Sequence, residues 1–305
     1  MNLLYLLEGI RIPALDQLML AVTRLGEETA FLVIALIVFW CVDKRKGYLL
    51  LSVGFIGTIG NQLLKLACRV PRPWILDPEF AIVEQAREAA AGYSFPSGHT
   101  QTAVGTFGSL AYTEKRKGLK ILWIALMSLV AFSRMYLGVH TPADVLVGAA
   151  MALVLVIALQ PVVYGDNPKG MKILLGSMIA FALVFLCYVE LWEFPADIDA
   201  HNLESGYKNA YTMLGCTIGA AIVYLVDTRK LNFPVKAAWW AQIMKVIVGL
   251  ALVLAVKEGL RSPLEWIFGG HMTARGVRYL LIVLVAGVLW PMTFSWFEKL
   301  GKRNN

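Results

Sequence analysis

The sequence predicts an all-α bundle of membrane-spanning helices, and three observations lead there. First, 58% of the residues are hydrophobic and 16% charged, with a mean hydropathy of +0.64, whereas a soluble domain is nearer half apolar and a quarter charged. Second, apolar runs approaching the ~20 residues needed to cross a bilayer recur along the whole 305-residue chain. Third, the connections between those runs alternate between basic and non-basic, the pattern of a multi-pass protein.

Taken in order, the first segment is MNLLYLLEGIRIP. It lacks a basic start and a small-residue cleavage site, so it does not read as a signal peptide. Leu3, Leu4, Leu6, Leu7 and Ile10 instead predict a short helix lying in the membrane interface. About nine spans follow, at roughly 28–42, 47–68, 98–113, 118–137, 141–163, 170–192, 207–226, 237–257 and 276–297. Gly54, Gly57 and Gly60 in the second, and Gly105 and Gly108 in the third, predict close helix–helix approach. The longest connection is 69–97, and its middle, EFAIVEQAREAA, has the spacing of an amphipathic helix. Long ordered connections of this kind are often functional.

Orientation follows from the short loops. Segments 43–47, 114–120, 165–172, 227–236 and the C-terminal tail are basic. Segments 77–91 and 192–204 are acidic. Basic loops stay cytoplasmic, so the N-terminus is expected outside and the C-terminus inside. The net charge of +7 is then a topology signal; membrane lipids are the expected surroundings, and no nucleic-acid partner is expected. Cys41, Cys68, Cys187 and Cys216 lie in or beside apolar runs without metal-type spacing and read as small apolar fillers.

Three short segments hold most of the conspicuous polar residues: KLACRVPRP with Lys65 and Arg72, SFPSGHT with Ser97, Gly98 and His99, and SRMYLGVHTPAD with Arg134, His140 and Asp144. The loop-charge topology places all three on the outer face. Lys65, Arg72 and Arg134 would bring three cations to one point, and arginine matches phosphate oxygens with two parallel donors. Ser97 and Gly98 precede a helix whose free amides suit an anion. His140 and Asp144 stand at i, i+4 on one expected helix face, where the carboxylate would fix the imidazole tautomer and leave the other nitrogen to attack. His99 would protonate the leaving oxygen. Singly, each residue has a plainer reading: Lys65 and Arg72 as interfacial anchors, Thr141-Pro142-Ala143-Asp144 as a helix start, His99 as an interfacial histidine. Their conjunction at three successive membrane exits is what points to phosphoryl transfer without a metal or other cofactor.

The pattern Lys65-x6-Arg72-Pro73, Pro96-Ser97-Gly98-His99 and Ser133-Arg134-x5-His140-x3-Asp144 resembles the three-part signature of the type 2 phosphatidic acid phosphatase superfamily, over roughly residues 45–160. The resemblance implies His140 as nucleophile forming a phosphohistidine, His99 as general acid, Asp144 as orienter, and Lys65, Arg72, Ser97, Gly98 and Arg134 as phosphate-binding residues. It divides the chain into an interfacial helix and first span (1–46), a catalytic core (47–163) and four additional spans (164–305). The extra spans resemble the glucose-6-phosphatase and sphingosine-1-phosphate phosphatase branches. A lipid phosphate or lipid diphosphate is the leading expected substrate. A soluble phosphate ester such as a sugar phosphate, a phosphotransferase reaction and a lipid transporter are the alternatives, and a transporter has no need of His99, His140 and Asp144 beside three cations.

Four further features complete the reading. Asp197, Asp199 and His201 are close enough in sequence to suggest a metal, though an acidic loop is usually a solvated face. Lys245 lies inside the eighth expected span and would snorkel. Asn61 and Thr58 share a helical face with Lys65, as a polar lining or as helix–helix hydrogen bonds. Arg275 and Arg278 would anchor the last span.

Overall fold

The computed structural model describes residues 1–90 and 92–300 and contains helices but no strand among them. The helices are α1 (Asn2–Glu8), α2 (Pro13–Thr23), α3 (Glu28–Cys41), α4 (Lys44–Cys68), the single turn α5 (Pro73–Leu76), α6 (Gly98–Thr113), α7 (Lys117–Tyr136), α8 (Pro142–Tyr164), α9 (Pro168–Leu191), α10 (Ala200–Val226), α11 (Trp239–Gly259), α12 (Arg261–Ile267), α13 (Thr273–Leu284) and α14 (Phe294–Leu300). A helix stands at each of the nine expected positions. Among the described residues seven stretches are long and apolar enough to cross a membrane, so the chain is a multi-pass integral-membrane protein. The two expected spans outside that set are the short α3, with 14 residues, and α6, with 16.

The N-terminal segment forms a short helix, α1, as expected, and Pro13 then starts a second, α2, at a position where no amide hydrogen bond is lost. One local expectation is corrected. The stretch EFAIVEQAREAA is not one amphipathic helix: it holds only 3-10 turns at Glu84–Ala86 and Glu88–Ala90. It is a packed connection instead, with Val83, Ala86 and Ala90 buried beside Met19, Tyr136, Leu137 and Val139.

The chain forms two compact units. The first comprises Met1–Leu32, Ser52–Gln160 and Trp192–Gly206. Here α6 and α7 pack along each other, while α1 and α2 pack on α7. Arg11 clamps two connections, donating from Nε to Tyr136 O at 2.9 Å and from Nη1 to Ala81 O at 2.6 Å. The Tyr136 hydroxyl donates to Asp16 at 2.7 Å. The chain then reverses between α7 and α8 in five residues, and Gly138 makes this possible at φ +79°, a left-handed conformation costly for other residues. A side chain there would also strike Arg11 and Phe80, at 2.8 and 3.0 Å. Two of the flagged helix glycines do allow close approach: a Cβ on Gly54 would lie 2.2 Å from Phe31, and one on Gly57 1.9 Å from Gln101. Gly108 meets only ordinary contacts.

The second unit comprises Val33–Leu51, Pro161–Leu191 and the chain from Tyr207 onward. Its Lys245 corrects the expectation of snorkelling. The side chain is fully buried, donates to Trp40 O and Val235 O at 2.9 and 3.0 Å, and sits 4.1 Å over the Phe294 ring. It therefore satisfies the carbonyl at the end of α3, one of the four a helix leaves open. Arg275 donates to Thr212 at 2.8 Å and so ties α13 to α10. All four cysteines are free thiols. The last five residues of the basic tail lie outside the described residues.

Candidate active site

Three connections of the first unit converge on one place: the end of α4 with the following 69–72 segment, the turn entering α6, and the α7–α8 reversal. Each is fixed by its own sequence. Ser97 caps α6, its Oγ accepting from Thr100 N at 3.4 Å and lying 2.9 Å from Thr100 Oγ1. The turn before it contains a cis Phe95–Pro96 peptide. It is held against α8, because Ser97 N donates to Asp144 O at 3.0 Å and Gly148 leaves room for Ser97 O where a Cβ would lie 2.7 Å away. At the start of α8, Thr141 and Asp144 cap reciprocally: Thr141 N donates to Asp144 Oδ2 at 2.7 Å and Asp144 N to Thr141 Oγ1 at 3.3 Å.

His140 precedes α8, which begins at Pro142, so His140 and Asp144 do not share a helix face as expected. The chain still brings them together, with a residue between them that the sequence reading missed. His140 Nδ1 lies 3.6 Å from Asp144 Oδ2 and 3.4 Å from Ser94 Oγ. Ser94 Oγ donates to Asp144 Oδ2 at 2.6 Å. Its proton is thus committed to the carboxylate, leaving its lone pairs toward the imidazole. One oxygen of Asp144 serves as both helix cap and anchor of this relay. On the far side, Arg72 Nη1 approaches His140 Nε2 at 3.0 Å. A guanidinium can only donate, so Nε2 accepts and the ring proton is on Nδ1. Burial, reinforced by Arg72, Arg134 and Lys65, holds the His140 imidazole well below its usual range. At neutral pH it is therefore uncharged, with the Nε2 lone pair directed at the cation cluster.

The cations are held mostly by backbone carbonyls. Lys65 Nζ donates to Tyr93 O, Arg72 Nε to Gly92 O at 2.9 Å, and Arg72 Nη1 to Val139 O at 2.8 Å. Arg134 is 1% exposed and donates from Nη1 to Thr23 Oγ1 at 2.7 Å. Among the described residues its Nε and Nη2 meet no acceptor, and His99 Nε2 meets no partner. Buried donors without partners cost roughly 1–3 kcal/mol each, more for a charge, so this arrangement is made for an anion. Lys65, Arg72, Gly98, His99, Arg134 and His140 line one cavity of about 150 Å³. Ser97 and Asp144 do not line it; they hold the residues that do. A second cavity of about 230 Å³ shares Lys65, Gly98 and His99 and continues past Asn61 and Thr58. Asn61 has the first of its expected roles; its amide donates to Pro96 O at 3.4 Å, in the turn before α6 and not on another helix.

Of the residues considered for a metal, Asp199 is engaged elsewhere: its Oδ1 accepts from Asn202 N and Nδ2 at 2.7 and 2.8 Å. Among the described residues no group of three or more His, Cys, Asp or Glu side chains is placed to hold a metal ion.

Comparison with known proteins gives two family matches, the PAP2 superfamily over residues 45–167 and the PAP2 superfamily phosphatase transmembrane extension over residues 211–303. A phosphatidylglycerophosphatase B of Bacillus subtilis is 31% identical over 162 residues, 48% of this chain and 74% of the relative. An undecaprenyl-diphosphatase of the same organism is 28% identical over 143 residues, 46% of this chain and 71% of the relative. Sphingosine-1-phosphate phosphatase 1 of Rattus norvegicus is 24% identical over 256 residues, 79% of this chain and 58% of the relative. No solved structure matches the chain.

The unpartnered donors of Arg134 lead to a prediction. Tungstate, a tetrahedral oxyanion, should raise the Tm of the detergent-solubilised protein, with stabilisation of about 2.7 kcal/mol at a hundredfold excess over its Kd. Arg134→Lys keeps the charge but loses the forked donors, and should weaken tungstate by about tenfold or more. A Tm insensitive to tungstate would contradict anion binding here.

Proposed function

The chain belongs to the PAP2 superfamily, and we propose that it is an integral-membrane phosphatase that hydrolyses a lipid phosphate or lipid diphosphate through a phosphohistidine intermediate. The observation that carries the mechanism is the tautomer of His140: its Nε2 lone pair faces the cavity that Lys65, Arg72, Arg134 and His99 also line. Support for the substrate class comes from the relatives, whose names are those of an undecaprenyl-diphosphatase, a phosphatidylglycerophosphatase and a sphingosine-1-phosphate phosphatase. A site among membrane-spanning helices also suits a substrate whose tail stays in the bilayer.

The proposed steps use these groups in turn. The phosphoryl oxygens take the free donors of Arg134, the Lys65 ammonium and first-turn amides of α6. Arg72 Nη1 turns from His140 Nε2 to a phosphate oxygen, and this exchange releases the lone pair only when substrate is seated. Nε2 attacks phosphorus as the bond to the leaving oxygen breaks. His99 gives its proton to that oxygen; the seated phosphate offsets the surrounding cations and lets His99 hold the proton until then. The phosphorylated imidazole is cationic, and Asp144 stabilises it through Ser94 and the Nδ1 proton. Water then attacks phosphorus, its proton passes to His99, the N–P bond breaks, and phosphate leaves. The three cations neutralise the transition state, so the chemistry needs no metal.

We place this site on the extracytoplasmic face, with the N-terminus outside and the C-terminus cytoplasmic, because segments 43–47, 114–120, 165–172 and 227–236 are basic.

Two predictions follow from the roles and the topology. His99→Ala should lower turnover of an alkyl phosphate by about 10²–10⁴-fold and of an aryl phosphate, whose leaving group needs no proton, far less; equal losses on both would remove His99 from the acid role. In a cysteine-free background on intact cells, Glu84→Cys should react with a membrane-impermeant thiol reagent and Lys117→Cys only after the membrane is opened. The reverse pattern would invert the topology.

A further inference from the structure

The cavity that holds the cations has a second wall, made by residues outside both matched segments. His201, Asn202 and Ser205, from the 192–206 segment and the start of α10, line it together with Lys65, Arg72, Arg134 and His140. This wall is built into the site by two neighbouring residues. Gly92 has φ +76°, and a Cβ on it would lie 2.1 Å from Asn202 Nδ2, so Asn202 occupies the space a side chain would take. Asn202 is 3% exposed and Asp199 holds its amide. The Tyr93 hydroxyl accepts from Asp199 N at 3.0 Å. The carbonyls of the same two residues hold Arg72 and Lys65. Gly92 and Tyr93 therefore carry phosphate-binding cations on one side and the 199–202 turn on the other, which fixes His201 relative to the phosphoryl site.

The chemistry of this wall is selective. Among the described residues lining the cavity none carries a carboxylate, and the wall offers an imidazole, a carboxamide and a hydroxyl. The adjoining cavity is lined by Glu27 and Glu28. Glu27 and Glu28 make that side the less favourable one for an anion extending beyond the attacked phosphorus.

We propose that His201 is a specificity-determining residue that hydrogen-bonds a second anionic group attached to the leaving oxygen, so that the site prefers a lipid diphosphate over the corresponding monophosphate. This rests on the phosphatase reading above. His201 is exposed and away from the packed core, so its substitution leaves the fold in place. The experiment compares initial phosphate release from farnesyl diphosphate and farnesyl monophosphate by the purified full-length protein. His201→Ala should lower the ratio of kcat/KM for the diphosphate to that for the monophosphate by about tenfold, the loss of one charge-assisted hydrogen bond. His201→Lys, which restores a donor to a phosphate oxygen, should bring the ratio back to within about threefold of wild type. An unchanged ratio in His201→Ala, or a lysine variant left at the alanine value, would overturn the proposal while leaving the phosphatase reading intact. Hydrolysis of neither substrate by the wild-type protein would overturn both.

Discussion

One hydrogen bond, from Arg72 Nη1 to His140 Nε2, sets the terms for the rest of the site. It fixes the imidazole proton on Nδ1, because an arginine has nothing to accept with. In the proposed mechanism it also couples the nucleophile to the anion: Arg72 already donates to Gly92 O and Val139 O, so a phosphate would compete directly for the donor that masks Nε2, and the imidazole would be guarded by the residue that recognises the substrate. This constraint explains why the α7–α8 reversal is so tightly braced. A displacement of His140 by a fraction of an ångström would break the bond to Arg72 or the contact with Ser94.

The bracing comes from parts of the chain remote in sequence. Arg11 and Asp16 hold the end of α7 and the 81–83 segment, Thr23 holds Arg134, and Gly26 lets the chain pass the start of α6, where a Cβ would lie 2.8 Å from His99 O. The two N-terminal helices therefore act as a splint for the catalytic connections. Burial of three cations in a membrane protein is costly unless each is held by good acceptors. Here backbone carbonyls hold Lys65 and Arg72, and one threonine hydroxyl holds part of Arg134, without neutralising the charge.

Much of this was legible in the sequence, and for physical reasons. Apolar runs and basic loops located a helix at every expected span, because a backbone in lipid must hydrogen-bond within itself. Lys65, Arg72, Gly98, His99, Arg134 and His140 were identified by type and order, and they do meet around one cavity. What stayed hidden depended on contacts between distant segments. Ser94 is an ordinary serine in a loop until the fold places it 2.6 Å from Asp144. Thr23 and Asn202 likewise carry no local pattern, and His201 stands out in sequence only beside Asp197 and Asp199, as a metal candidate, not as a residue lining the cation cavity. Asp144 was read alternatively as a cap and as an orienter, and its single Oδ2 atom contacts both partners. Lys245 looked like a snorkelling residue because sequence cannot show that two carbonyls and an aromatic ring await it. Residues 79–90 have helical spacing, yet packing against α2 and α7 dictated short turns.

In the proposed mechanism His140 Nε2 becomes covalently bonded to phosphorus. The most direct test uses His99→Ala with ³²P-labelled aryl phosphate, quenched rapidly in detergent under alkaline conditions. The good leaving group departs without an acid, while the missing base slows attack by water, so the intermediate accumulates. The account predicts a burst approaching one label per protein, located on the peptide that contains His140, stable to base and lost in acid. Continued turnover with no label on the protein, or label on a residue other than His140, would contradict it.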